Sequence, residues 1–112
     1  QSTAKTFLKP VIKRPNLTTV TQALAQKIIL DGKKATGIEY IKGGNSIKAT
    51  AKKEIILAGG SIASPQLLEL SGIGNQEILE KCGVKVQHHL PGVGENMQDH
   101  LTLNVLFVIT GL

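Results

Sequence analysis

Hydrophobic and polar positions change rhythm twice along the chain. Residues 1–16 carry a short helical signal. Ser2 can cap a short helix over residues 3–8, and Pro10 ends it, because the residue before a proline is pushed out of the α region. From residue 17 to 51 β-branched residues dominate. Residues 17–20 and 24–30 read as strands, and the second runs into Asp31-Gly32, a dipeptide that accepts the positive φ angles of a tight hairpin. Residues 36–42 return, with Ile38 and Tyr40 alternating with polar neighbours. Gly43-Gly44-Asn45 then turns the chain into residues 46–51. The prediction is an antiparallel β-meander over about residues 17–51.

After Lys53 the texture differs. Ile55-Ile56-Leu57-Ala58, entered through Glu54, is the short unbroken apolar run of a strand covered on both faces, as in a parallel sheet, and it ends in Gly59-Gly60-Ser61. Ser64 then predicts an N-cap with Pro65 at the first helical position, and the helix runs on until Gly72 stops it. This strand–turn–helix unit covers about residues 54–71. A second helix starts near Asn75, carries Ile78, Leu79 and Cys82 at helical spacing and stops at Gly83. Cys82, at an apolar helical position, is expected to be buried rather than reactive. Residues 84–86 form a brief extended piece, residues 90–96 a Gly/Pro loop, and residues 103–109 a strongly β-prone stretch. The fold class is α/β.

Composition narrows the functional classes. With 112 residues the chain is one domain's worth or less, and 41% hydrophobic and 19% charged residues exclude a disordered or low-complexity segment. The longest apolar stretches, residues 55–58 and 105–109, fall far short of the roughly 20 residues of a membrane helix, so no transmembrane segment is predicted. A single cysteine excludes an internal disulfide. The first residue, Gln1, is not an initiator Met, and the first ten residues lack a signal peptide's apolar core, so the chain reads as an internal piece of something longer.

Charge is uneven. Residues 1–53 carry eleven Lys and Arg against two acids, and residues 54–112 carry two against six, a split of +9 and −4 within the net +5. A basic half suits a polyanion, a phosphate-bearing cofactor, or lysine-rich outer strand faces. The last two are favoured: aromatic content is 3%, with Phe7, Tyr40 and Phe107 far apart, so no nucleic-acid partner is expected. Lysines at turns and strand ends also discourage edge pairing. His88-His89 suggests a metal, but adjacent strand residues point to opposite faces and no Cys or acid pair completes a site, so no metal is expected.

Where a covered strand passes through Gly59-Gly60-Ser61 into a helix, bare amides and the positive helix end suit an anionic ligand such as a pyrophosphate. That turn alone is unspecific, because it is not G-x-G-x-x-G and such glycines also serve tight packing. The full run of residues 59–74 says more. It resembles the second signature of the glucose-methanol-choline (GMC) flavoprotein oxidoreductases, with Gly60, Ser61, Ser64, Pro65, Leu67, Leu68, Ser71, Gly72, Ile73 and Gly74 in the positions of that pattern. Ser2-Thr-Ala-Lys5, Arg14-Pro-Asn-Leu17, Ala35-Thr-Gly-Ile-Glu-Tyr40, Leu90-Pro-Gly-Val-Gly-Glu-Asn96 and Gln98-Asp-His100 look like the same family in order and spacing.

The resemblance implies that residues 1–100 are the middle portion of a FAD-binding, Rossmann-like domain and residues 101–112 the start of a substrate-binding domain. It places FAD adenine against the backbone of the strand holding Ala25, where the family usually has valine. It returns the chain to the cofactor at Ala58, Gly59 and Gly60, and puts Asn96, Asp99 and His100 in the stretch that closes over it. Simpler readings stand beside these: Ala25 is a strand core residue, and Asn96, Asp99 and His100 cap and turn a short helical piece before a strand at Leu101. The family's N-terminal glycine fingerprint and its C-terminal histidine pair are not among these residues, so none is named catalytic. The implied function is oxidation of an alcohol, choline or another primary alcohol, by hydride transfer to flavin, with the small-molecule alcohol and the remaining parts of the same enzyme as partners. A cytoplasmic setting is expected, with attachment to a membrane left open. The alternatives are a non-redox FAD-containing lyase of the same fold and a stand-alone basic module whose lysines hold a polyanion.

Overall fold

Two glycine turns fold one stretch of chain back on itself twice. In the computed structural model, which describes residues 2–108 and 110, strand β1 (Leu24–Asp31) pairs antiparallel with β2 (Lys34–Lys42), and β2 with β3 (Asn45–Thr50), in spatial order β1-β2-β3. Ile28 faces Ile38 and Tyr40 faces Ile47 across the ladders. The first hairpin loop is Gly32-Lys33, not Asp31-Gly32, because Asp31 still pairs with Lys34 and Gly32 alone takes the positive φ. The second loop is Gly43-Gly44, which closes on the Lys42–Asn45 pair. Gln26 in β1 and Thr36 in β2 each add one residue to a ladder, and such bulges sharpen strand twist. The Thr36 hydroxyl donates to the Ile29 carbonyl at 3.2 Å, and the Thr36 carbonyl accepts from Ala51 N–H at 2.8 Å, so both oxygens of the bulged residue are bonded.

The expected strand over residues 17–20 does not form: among the described residues no neighbouring strand lies beside it, and Leu17 instead joins Phe7, Leu8 and Val11 around a shallow depression. At the N-terminus a π-helical turn over Ala4–Leu8 passes into a 3₁₀ turn over Lys9–Val11. Pro10 therefore lies inside the second turn rather than ending the first, at a position where a missing N–H removes no bond. Ser2 Oγ does accept from Lys5 N–H, at 3.4 Å.

Helix α1 spans Gly60–Leu70 and starts a turn earlier than Ser64-Pro65 predicts. Gly59 is the N-cap, and the Ser64 hydroxyl, reaching backwards, accepts the Gly59 N–H at 3.0 Å. Pro65 sits inside the helix, where it cannot donate to the Ser61 carbonyl. Ser71 caps the C-terminus, and Gly72 follows in the left-handed region with φ 84°. Glycine is required here, because a Cβ at this position would overlap the Lys85 carbonyl oxygen and crowd Gln87.

From Gly72 the chain builds a second, two-stranded sheet. Strand β4 (Ile73–Gly74) pairs in parallel with β5 (His88–His89), and the Gly72 carbonyl accepts from Gln87 N–H at 2.8 Å and His88 N–H at 3.0 Å. Between them lies α2 (Gln76–Lys81), with Asn75 as N-cap accepting Glu77 N–H at 3.0 Å. The extended pairing thus falls on residues 88–89 rather than 84–86. Cys82, expected buried, is exposed, because it stands at the C-cap beyond the last turn that Leu79 anchors.

Two β-prone stretches carry no ladder. Residues 54–58 lack a neighbouring strand among the described residues, and Ile56 is 79% exposed. Residues 101–108 are equally unpaired, and the expected strand's last residue, Ile109, lies outside the described residues. The core is correspondingly small: among the described residues Ile28 and Leu79 are its buried apolar side chains, and Ser71, bonded to Ile28, is 1% exposed. The chain exposes 9813 Å², against about 6000 Å² for a compact protein of its mass. Its radius of gyration is 19.8 Å, against about 13 Å for a compact fold.

Candidate functional site

Two hollows flank α1. The smaller, of about 290 Å³, lies between the meander, which contributes Leu24, Ala25 and Ile38, and the approach to the helix, which contributes residues 56–59. The helix closes it with Ala63, Ser64, Gln66, Leu67 and Leu70, and no charged side chain lines it. The larger, of about 720 Å³, lies between α1 and the loop of residues 92–98. Two carboxylates, Glu69 and Glu95, line it and no cation does.

The smaller hollow gathers sequence-predicted residues from distant parts of the chain. Ala25, paired with Tyr40 at the outer edge of the meander, meets Ala58 and Gly59 across it. Both alanines are exposed, so the space between them is open to a ligand rather than packed as core. Gly60 stands at the bend where residues 54–59 enter α1, with φ 89° and no atom within 4 Å of where a Cβ would stand. The Gly59 N–H is engaged by Ser64, which leaves the next N–H groups of the first turn, unpaired by helix geometry, to face outwards. Chemically, the arrangement offers a neutral slot for a flat ring, beside main-chain donors.

Asn96 is not in this slot. It lines the larger cleft, in a left-handed conformation with φ 58° that asparagine tolerates better than most residues. Asp99 and His100 line neither hollow: both are exposed, and Asp99 Oδ1 accepts the His100 N–H at 2.8 Å. Residues 96–100 form no helical piece. His89 is also occupied structurally, since its Nδ1 accepts the Gln76 N–H at 3.1 Å and so covers the start of α2 from the neighbouring strand.

Ser71 is the residue that sequence reasoning left without a role. Its hydroxyl accepts the Ile28 N–H at 2.8 Å and donates to the Leu67 carbonyl at 2.6 Å, fully buried between β1 and the end of α1. The signal for it is a lone hydroxyl between Leu70 and Gly72 at a helix end, where an apolar residue would pack more simply.

The family model described as GMC oxidoreductase matches residues 1–102. Over 74 residues the chain is 51% identical to the mitochondrial choline dehydrogenase of Mus musculus, covering 66% of this chain and 12% of that protein. Over 76 residues it is 50% identical to the oxygen-dependent choline dehydrogenase of Escherichia coli O139:H28, covering 66% of this chain and 14% of that protein. Among solved structures, an FAD-dependent oxidoreductase from Chaetomium thermophilum superposes with TM-score 0.75 at 37% identity, covering 80% of this chain and 16% of that one. Pyridoxine 4-oxidase from Mesorbium loti gives TM-score 0.76 at 32% identity, covering 80% and 18%. The chain therefore spans 12% to 14% of the length of these curated relatives.

Proposed function

This chain belongs to the GMC oxidoreductase family, and from that premise we propose that it is a segment of an FAD-dependent enzyme oxidising choline or another primary alcohol by hydride transfer to the flavin. The observation that carries the reading is the neutral slot in which Ala25, Ala58 and Gly59 meet. The residues fit an adenosine group: two small exposed side chains, an unbranched glycine approach and no charge to desolvate. The larger cleft fits a pyrophosphate poorly, because Glu69 and Glu95 would repel it.

In this reading the slot holds the adenosine half of FAD, with the β1 backbone at Ala25 against the ring and Ala58 and Gly59 opposite. Gly60 lets the chain pass close to the cofactor. Asn96, Asp99 and His100 lie in the stretch that closes over the cofactor. Bound flavin supplies the hydride acceptor; this chain's part is to bind and orient it. Residues 1–100 are assigned to the FAD-binding domain and residues 101–112 to the start of the substrate domain, a division supported by the exposed apolar side chains from Leu101 to Val108. No helix of the described residues is long and apolar enough to cross a membrane. A cytoplasmic setting completes the proposal, and cell fractionation tests it.

The functional test exchanges the matching 76-residue segment of the E. coli relative for that of this chain. A hybrid that retains FAD and is bleached by choline or a primary alcohol under argon supports the proposal. A folded hybrid without FAD refutes the cofactor assignment, and one that holds FAD but never bleaches moves the reading to a non-redox lyase.

A further inference from the structure

The walls of the adenosine slot come from two units, the meander and α1 with its approach. Among the described residues, no hydrogen bond other than Ile28 N–H to Ser71 Oγ crosses from residues 24–51 to residues 60–98. It lies three residues along β1 from Ala25, about 10 Å of strand, and one residue beyond Leu70, which itself lines the slot. The same hydroxyl is held on the helix side by its bond to the Leu67 carbonyl, and Leu67 lines the slot as well. Each end of this tie is therefore rigidly joined to one wall.

We propose that Ser71 is a positioning residue that sets the spacing of the two walls, and with it the affinity for the adenosine half of the cofactor. The inference rests on the assignment of that half to this slot. Without the hydroxyl, the Ile28 N–H is buried without an acceptor, and the meander and α1 are free to shift apart. Only the fraction of molecules with the walls in register then binds, and apparent affinity falls by that fraction. Ser71 touches no ligand in this account; it acts through β1 and α1.

The test uses the apoprotein with this segment in its natural chain, comparing wild type, Ser71→Ala, Ser71→Cys and Ser71→Thr. FAD, AMP and riboflavin 5′-phosphate are titrated separately, because AMP presents only the adenosine half and riboflavin 5′-phosphate only the flavin half. The expected result for Ser71→Ala is an increase of about tenfold in Kd for FAD and for AMP, the scale of one buried hydrogen bond, with riboflavin 5′-phosphate unchanged. Ser71→Thr, which keeps the hydroxyl, restores the wild-type ratio. If Ser71→Ala does not fold, Ser71→Cys, which holds the space but accepts weakly, shows the same selective loss. Equal weakening of all three ligands, or no weakening of AMP, overturns the positioning role while leaving the cofactor assignment intact. Failure of the wild type to bind either FAD or AMP overturns the assignment, and this inference with it.

Discussion

Alanine at Gly72 is expected to damage the fold far more than alanine at Gly83, although both glycines follow a helix with positive φ. At Gly83, φ is 71° and a Cβ would meet no atom within 4 Å, so only the left-handed backbone penalty applies, about 1–2 kcal/mol. At Gly72 the same penalty applies at φ 84°, but the new Cβ overlaps the Lys85 carbonyl oxygen and lies 2.8 Å from Gln87 Cγ and 3.0 Å from Gln87 N. These are mostly backbone atoms and cannot swing away as a side-chain end would. Relief requires residues 85–88 to retreat from Gly72, which breaks the bonds that its carbonyl accepts from Gln87 and His88 N–H. At about 0.5–1.5 kcal/mol each, these raise the total to about 2–5 kcal/mol. The readout is native-state hydrogen exchange at the Gln87 and His88 amides in the folded protein. Gly72→Ala should lower protection there about 10²- to 10³-fold, and Gly83→Ala should leave the two amides within about tenfold of wild type. If the two variants agree to within about 0.5 kcal/mol, or if Gln87 and His88 keep their protection in Gly72→Ala, close approach is not what selects glycine at 72.

Three further outcomes follow from the geometry. Ala58→Phe should fill the slot and weaken FAD binding at least about tenfold in an equilibrium titration, whereas Ala25→Val, which leaves the β1 backbone in place, should change it by less than about threefold. Leu79→Ala empties the most buried apolar side chain among the described residues, at 2% exposure, and should destabilise the unit formed by α2, β4 and β5 by about 2–5 kcal/mol, seen as faster exchange across residues 73–90. Asn75→Ala should cost α2 about 1 kcal/mol in the same measurement, and adding His89→Ala should deepen the loss, since the two side chains cover successive N–H groups, those of Glu77 and Gln76.

The elements legible in the sequence are those whose causes are local. The meander, both glycine hairpins, the Asn75 cap and the Gly72 and Gly83 stops all follow from residue type and spacing within a few positions. Residues 17–20, 54–58 and 101–108 have strand composition but no ladder, because a strand is a relation to a neighbour and its own residues do not supply one. Ser64-Pro65 misleads for a different reason: the hydroxyl is used to hold the Gly59 N–H from inside the helix, so the cap lies five residues earlier. At the candidate site, family wording named Ala25, Ala58, Gly59 and Asn96 together, and the first three line one hollow while Asn96 lines the other. That division arises from the two faces of α1. Ser71 stayed silent because its partner, Ile28, is remote in sequence and offers only a backbone N–H, which leaves no side-chain pattern to read.

That remoteness orders assembly. The meander's two hairpins each close over a two-residue loop, whereas the Ser71–Ile28 bond closes a loop of 43 residues, with an added chain-entropy penalty of roughly 2–3 kcal/mol. Contacts of short sequence separation form first, and synthesis delivers residues 24–50 before α1 exists. The sheet therefore forms alone, with the Ile28 N–H bonded to water, and waits for the helix end to displace that water. Ser71 makes the late docking event specific: of the ways an apolar helix could lie on the sheet edge, one places a hydroxyl on that amide.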